Sequence, residues 1–401
     1  MFQSPLLSLA AAVLIAGDPS AQDHDLVIVV WGDAGWSDVV HQPHARTFEQ
    51  FAQQGLSLSN WIGQPVGSMT VYTLLFGEYP MREGIHMGFS WEGDGSKYPD
   101  IRADKPCLFE LLAQRGYATA LVGKWGMGDT PFGTFVQDYR NVVPHMQGFG
   151  RWLAGIGSNI PSDGNYLDWD RVDDGVVTRD TTWADLAIGD AFVGWWTSTP
   201  SPKAAFVYFS AGHGPHGKVP PAEALPSGYV PPRFPSERQR YEAMLACIDE
   251  QTRRVLQVVD PQHTRVVVTC AAGTPDKAEL TPTPGMVKRS TFDGGILLPT
   301  AVRGPGIPVG TSSALFSSTD LWAFLFPGSD PPADSRRGRD YTWARIQDDE
   351  AIRTRTHKLR RNVTTGEELL YELPDETLSF DPDSYRDQAL VAKLRAWLAN
   401  P

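Results

Sequence analysis

VIVVWGDAGWSD, residues 27–38, is the stretch on which the reading of the fold turns. Extended back by one residue, its apolar half (LVIVVW, 26–31) has no polar side chain on either face, the composition of a strand buried on both sides of a sheet. Its second half is an acidic turn. On the C-terminal side, ARTFEQFAQQG (45–55) places Phe48, Phe51 and Ala52 on one helical face and ends at Gly55. SMTVYTLLFG (68–77) reads the same way, with Ser68 as N-cap, Gly77 as stop and Pro80 beyond. KPCLFELLAQRGY (105–117) predicts a helix entered through a proline and followed by the strand ATALVGKW (118–125). AAFVYFSA (204–211) is a further buried strand, and the amphipathic run RYEAMLACIDEQTRRVLQVV (240–259) feeds the strand TRVVVTCA (264–271). Such alternation implies the α/β class: a mostly parallel sheet with helices on both faces.

Residues 140–200, rich in Gly, Asp and Trp and weakly periodic, predict an insertion over one rim; the Pro-rich 214–235 predicts a loop. A polar linker, GSDPPADSRRGRD (328–340), precedes a change of style. AIRTRTHKLRR (351–361) and ELLYEL (368–373) read as the two strands of a hairpin, and 384–399 as a closing helix. The expected division is an α/β domain over 25–330 and a small C-terminal α+β subdomain over 340–401.

The chain has 401 residues, 41% of them hydrophobic and 20% charged, which excludes collagen, a coiled coil and wholesale disorder. With 47 acidic and 35 basic residues, the net charge of −12 argues against a nucleic-acid partner, whose phosphates need clustered Lys and Arg. Three cysteines, Cys107, Cys247 and Cys270, give neither a disulfide framework nor a metal spacing. The apolar run Leu6 to Ala16 is too short to span a bilayer and has the length of a signal-peptide h-region, although no Lys or Arg precedes it. That reading makes residues 1–21 a leader and the protein exported to periplasm or medium; the alternative is an N-terminal helix packed on the fold. No other segment has transmembrane character.

The order and wording of these segments resemble the sulfatase family of the alkaline-phosphatase-like superfamily over residues 26 to 373. Residues 27–38 are similar to the family's first strand and acidic turn, and PVGSMTVYTLLFGEYP (65–80) to its nucleophile segment, C-x-P-x-R with a helix ending G-x-Y-P. LLAQRGYATALVGKWGMG (111–128) follows the helix and strand that end GKWHLG. KRSTFDGGILLP (288–299) matches K-x-x-x-[YF]-[ED]-GG-x-x-x-P, and YELPDE (371–376) the closing LYDLxxDP region. Together these segments make the fold specific, where each alone is weak.

Residue by residue, what the resemblance implies is a dismantled centre. The family holds Ca²⁺ or Mg²⁺ with two Asp after the first strand and an Asp-Asn/His pair after a later one. Here those positions read Gly32, Asp33, Ala271 and Ala272, so only Asp33 keeps a carboxylate, and a hard cation wants six or more oxygens. Counting back from Gly77-Glu78-Tyr79-Pro80 puts Gly67 where the family has the Cys or Ser that becomes formylglycine. The supporting Arg is Val71, and the His of GKWH is Gly126. Lys124, His216 and Lys288 match the family's sulfate-contacting Lys, His and Lys, compact donors suited to an anion; the alternative is that Lys124 pairs with Asp33 or Asp129 and His216 caps a loop. Trp31 either fills the space beside the former metal position or packs in the core.

Three functions follow. The first is a catalytically impaired sulfatase-like protein without cofactor, binding a small sulfated or other anionic ligand. The second is an active sulfuric or phosphoric ester hydrolase with Ser68 or Thr70 as substitute nucleophile and Ca²⁺ as metal. The third is a structural partner subunit of an active relative. The sequence leaves oligomeric state open.

Overall fold

The computed structural model describes residues 24–88, 107–127, 148–156, 166–214, 216–278, 285–325 and 339–401. The leader reading of residues 1–21 and most of the linker lie outside them. Eleven strands lead up to residue 312: β1 (Asp25–Asp33), β2 (Leu56–Leu58), β3 (Trp61–Ile62), β4 (Ala118–Lys124), β5 (Arg151–Ile156), β6 (Trp169–Asp173), β7 (Val176–Asp180), β8 (Lys203–Tyr208), β9 (Thr264–Ala272), β10 (Ala301–Arg303) and β11 (Gly310–Ser312). Ten of them form one sheet in the order β11-β2-β10-β9-β1-β8-β4-β5-β6-β7. Its centre, β9-β1-β8-β4-β5, is parallel throughout.

Every residue of β1 is buried, because β8 and β9 flank it in register and helices cover the sheet. Each Val or Ile of the run contributes about 1.5–3 kcal/mol by leaving water. The helix Glu237–Val258 begins with a reciprocal cap, Gln239 N–H donating to Ser236 Oγ at 3.2 Å and Ser236 N–H to Gln239 Oε1 at 2.9 Å. Gly77 closes the helix Gly67–Phe76 in the left-handed region, φ 67°, where glycine is favoured. No helix among the described residues is long and apolar enough to cross a membrane.

Two expectations change. The stretch expected as an insertion supplies β5, β6, β7 and the helix Ala184–Ser198, extending the sheet itself. Its hydrophobic period is masked by surface ion pairs, Arg171 with Asp173 and Asp180 and Arg179 with Asp168 and Asp170. AIRTRTHKLRR is not one strand but two, Asp349–Arg353 and His357–Asn362, joined by a turn in which Thr354 Oγ1 accepts from the backbone N–H of Thr356 and His357. They belong to a five-stranded antiparallel sheet spanning Thr342 to Phe380. The helix Gln388–Ala399 covers it, packing Val391, Leu394 and Leu398 with Ile352, Leu359 and Leu370. Met69 and Tyr79 join the same apolar cluster, tying it to the segment around the helix Gly67–Phe76.

Candidate anion site at the strand ends

Four adjacent parallel strands stop at one edge of the sheet, and their last residues are Ala272 of β9, Asp33 of β1, Tyr208 of β8 and Lys124 of β4. In open α/β sheets this carboxyl edge is where ligands bind. The loop from Val287 to Thr291 lies across it and brings Lys288, whose Nζ stands 2.5 Å from Asp33 Oδ2. Both side chains are nearly out of water, 11% exposed for Lys288 and 3% for Asp33. Lys124 is also buried, with Nζ 5.5 Å from the centre of the Tyr208 ring.

Charge couples these groups. Burial opposes ionisation of Asp33, but Lys288, His213 and Lys124 together hold its carboxyl below the usual range. Burial pushes the Lys124 ammonium down to about 8; Asp33 resists the change and Lys288 adds to it. His213 is driven to about 3, first by burial and then by Lys288, so its ring is neutral near pH 7; its Nδ1 lies 2.7 Å from the carbonyl of Gly214. Burial, followed by Asp33, raises the Tyr208 hydroxyl, which therefore keeps its proton and can donate it. Tyr208 is 3% exposed. The arrangement is two ammonium groups, one carboxylate and a hydroxyl donor in a water-poor corner.

The residues do not fit a divalent cation. No group of three or more His, Cys, Asp or Glu able to hold a metal exists among the described residues, and the Asp33 carboxylate is already paired with an ammonium. The backbone around it is also closed. A Cβ on Gly32 would lie 2.1 Å from the carbonyl oxygen of Ala211, so no side chain fits there as the chain stands. A Cβ on Gly67 would meet Tyr208 Oη at 3.1 Å and the Ala271 methyl at 3.2 Å. Gly126 has φ 69°, a left-handed conformation that residues with a side chain rarely adopt.

The other residues singled out from sequence fall as follows. Thr70 is fully buried; its Oγ1 accepts from the N–H of Gln64 at 2.9 Å and lies 3.3 Å from the carbonyl of the same residue, so its hydroxyl braces the turn into the helix. Ser68 is not the N-cap: Val66 holds that place, and the half-buried Ser68 is the second residue of the helix. His216 is turned to the helix layer, with Nε2 3.0 Å from the carbonyl of Gly212, Nδ1 3.4 Å from Glu237 and its ring edge-on to Tyr241. The histidine coupled to Asp33 is instead His213, three residues earlier. Trp31 donates from Nε1 to Thr252 Oγ1 at 3.0 Å and meets Phe48 edge-on, which is core packing between sheet and helices.

Sequence reasoning also passed over Tyr208 and Asp38. Asp38 closes the acidic turn, accepting from Gly35 N–H at 2.9 Å, from the hydroxyls of Tyr241 at 3.0 Å and Thr274 at 2.5 Å, and pairing with Arg238 at 2.7 Å. The Asp three positions after Gly35 in GWSD was the available signal, since an acidic third residue commonly caps a helix start. All three cysteines are buried thiols outside any disulfide, and burial pushes the Cys107 thiol up to about 12, as for inert packing residues.

A parallel core of this topology, with its charged residues at the carboxyl edge and a small antiparallel sheet after it, defines an α/β protein of the alkaline-phosphatase-like superfamily. The comparisons make it narrower: the Sulfatase family model matches residues 24–327, and the chain belongs to the sulfatase family. It is 26% identical over 375 residues to N-acetylgalactosamine-6-sulfatase of Sus scrofa, a match covering 82% of this chain and 67% of that protein. It is 31% identical over 158 residues to human Arylsulfatase A, covering 38% of this chain and 28% of the relative, so that match spans less than a third of the relative's length. Among solved structures, Ps i-CgsB in complex with k-i-k-neocarrahexaose superposes with a TM-score of 0.77 at 20% identity, covering 94% of this chain and 92% of the other; at that identity the likeness concerns the fold.

Proposed function

We propose that this chain is a sulfatase-family protein that has given up ester hydrolysis and uses the carboxyl edge of its sheet to bind a sulfated or otherwise anionic ligand, after export from the cytoplasm. The observation that carries this reading is the gathering of two buried ammonium groups, Lys124 and Lys288, beside Asp33 at the strand ends. Cationic side chains gathered in a water-poor site draw an anion. Hydrolysis needs more: an activated nucleophile and something to activate it. Position 67 has no side chain, Thr70 is committed to Gln64, and the one carboxylate is held by Lys288. The printed name of the porcine relative, N-acetylgalactosamine-6-sulfatase, makes a sulfated amino sugar the first ligand class to try.

The test combines three measurements. Purified protein is expected to carry no stoichiometric Ca²⁺ or Mg²⁺, to release nothing from an aryl sulfate or aryl phosphate, and to melt at higher temperature with sulfate, phosphate or a sulfated sugar. The thermal shift should vanish in the Lys124→Ala, Lys288→Ala double variant. Turnover that is lost in Ser68→Ala or Thr70→Ala would replace this reading with that of an active hydrolase. Absence of a shift with every anion would leave a surface role, as a partner subunit, in its place.

A further inference from the structure

We propose that Asp185 is a positioning residue: from the first turn of the helix Ala184–Ser198 it holds the segment Ser210–His213, which closes over the end of β1, and so fixes one wall of the carboxyl edge. The use of that wall in taking up an anion rests on the anion-binding reading; the hold itself does not.

The segment leaves β8 without pairing to another strand, so its buried backbone groups must be met from outside. Asp185 meets the N–H groups: Oδ1 accepts from Ser210 at 2.7 Å and from Ala211 at 3.2 Å. Tyr166 meets the carbonyls, its hydroxyl 3.2 Å from those of Ser210 and His213, and its ring stacks on Trp183, the residue before the helix, with 4.8 Å between centres. What these bonds hold is the tightest contact of the edge. The Ala211 carbonyl lies 2.1 Å from where a Gly32 Cβ would be, Gly212 turns at φ 89° against the Asp33 backbone, and His213 is coupled to the Asp33 carboxylate.

The second oxygen of Asp185 shows how the hold is made. The residue is fully buried, and neither its Oδ2 nor the buried Ser210 Oγ has a hydrogen-bond partner among the described residues, although the Trp183 indole faces the carboxyl. A carboxylate left this dry is costly; its return is the stronger bond that a charged acceptor makes to a backbone N–H. Burial lifts the carboxyl to about 6, with the Ala211 and Ser210 N–H groups and Trp183 opposing the rise. The Tyr166 hydroxyl and the Cys247 thiol, which couple to it, are raised well above their ordinary values by burial and stay neutral. When Asp185 takes up a proton, Oδ2 is the oxygen no donor occupies, so Oδ1 keeps the loop. A group with a raised folded value binds its proton more readily in the folded chain. The cost of the charge is therefore full above pH 6 and is relieved as pH falls toward the unfolded value of about 3.9.

Amide hydrogen exchange, a thermal-shift titration with inorganic sulfate and melting curves across pH test the proposal. Asp185→Ala should speed exchange of the Ser210 and Ala211 amides about tenfold or more, the worth of a hydrogen bond to a charged group, while the amides of β1 and β9 stay slow. It should also weaken the sulfate shift. Asp185→Asn, whose side-chain oxygen can accept the same two N–H groups, should restore both, and Tyr166→Phe should leave the two amides slow. Slow amides in Asp185→Ala, fast ones in Asp185→Asn, or equally fast ones in Tyr166→Phe overturn the hold. Fast amides with an undiminished sulfate shift overturn its bearing on the edge. Asp185→Asn should melt above the native protein by most near pH 8, the gap narrowing as pH falls toward about 4; a gap that does not change with pH overturns the buried carboxylate, and this measurement decides if Asp185→Ala does not fold. A native protein that sulfate does not shift at all overturns the anion-binding reading, and the exchange and melting measurements then still decide the hold by themselves.

Discussion

Two clusters of buried charge in this chain are built from similar residue types and differ in how their charges are met. One lies where the loop before Gly294 meets the C-terminal sheet. Lys358 Nζ contacts Asp293 at 2.7 Å, Glu376 at 2.5 Å and the carbonyl of Thr291 at 2.8 Å, while Arg353 forks onto both oxygens of Asp293 at 2.9 and 2.7 Å. Asp293 N–H donates to the second oxygen of Glu376 at 2.7 Å. Two cations face two carboxylates, and the hydrogen-bonding capacity around them is used. The other cluster, at the strand ends, gathers Lys124 and Lys288 beside Asp33, with the Tyr208 ring 5.5 Å from Lys124 Nζ. On the proposed reading the difference separates a clamp from a receptor. Neutral, saturated charge in a dry place holds pieces together; ammonium groups gathered beside one carboxylate at the strand ends would draw an anion. The clamp gives the FDGG segment, residues 292–295, a structural role of its own. Arg360 stacks on Phe292, 3.8 Å from the ring centre, and Thr291 donates to Asp349, so these residues fasten the two sheets to each other.

Breaking the clamp should have the largest effect. Lys358→Met strands two carboxylates in the interior and is expected to cost about 3–5 kcal/mol, the usual penalty for removing one partner of a buried pair, read from denaturant unfolding. Lys288→Met should cost less, about 1–3 kcal/mol, because Lys124 still faces Asp33 and the site is nearer solvent. If the two substitutions cost the same, the distinction between clamp and receptor fails.

A pH titration sharpens the comparison from another side. The Lys124 ammonium is depressed to about 8 in the folded protein and titrates near 10.4 when unfolded. Between those values the unfolded chain binds more protons, so stability rises with pH, by no more than about 1.4 kcal/mol per unit for one group. Anion affinity should fall over the same rise, as the charge that attracts the ligand is lost. Lys124→Met should flatten both curves; a clamp variant should flatten neither. Smaller still, Thr70→Val leaves the Gln64 N–H without its acceptor and should cost about 1 kcal/mol, while Ser68→Ala should stay within about 0.5 kcal/mol and leave the sulfate-induced thermal shift in place.

Most of the sheet was legible because β1, β4, β8 and β9 are continuous apolar runs, and a strand buried on both faces has no other way to be written. The two misread regions failed for local reasons. The β6–β7 hairpin hides its period under Arg–Asp pairs, and the turn at Thr354–Thr356 is made by a threonine hydroxyl, without the Gly or Pro that usually marks one. At the site, Lys124, Lys288 and Asp33 could be named because their positions follow from the ends of strands and from a short motif. His216 was named from the resemblance in place of His213, and three residues of loop decide which ring is coupled to Asp33. Tyr208 was invisible for a different reason. A tyrosine closing a core strand reads as packing, and only the geometry sets its ring beside the Lys124 ammonium.

The contact at Gly32 has a consequence for substitution. With 2.1 Å between a Cβ there and the Ala211 carbonyl, an acidic side chain placed at position 32 collides with the main chain. The loop beyond β8 occupies the space that side chain would need. No single replacement at position 32 can therefore set a second carboxylate beside Asp33; the loop would have to withdraw with it. Gly212 is held in turn by the Asp33 backbone, 2.8 Å from where its own Cβ would stand, so the two segments can vary only as one unit.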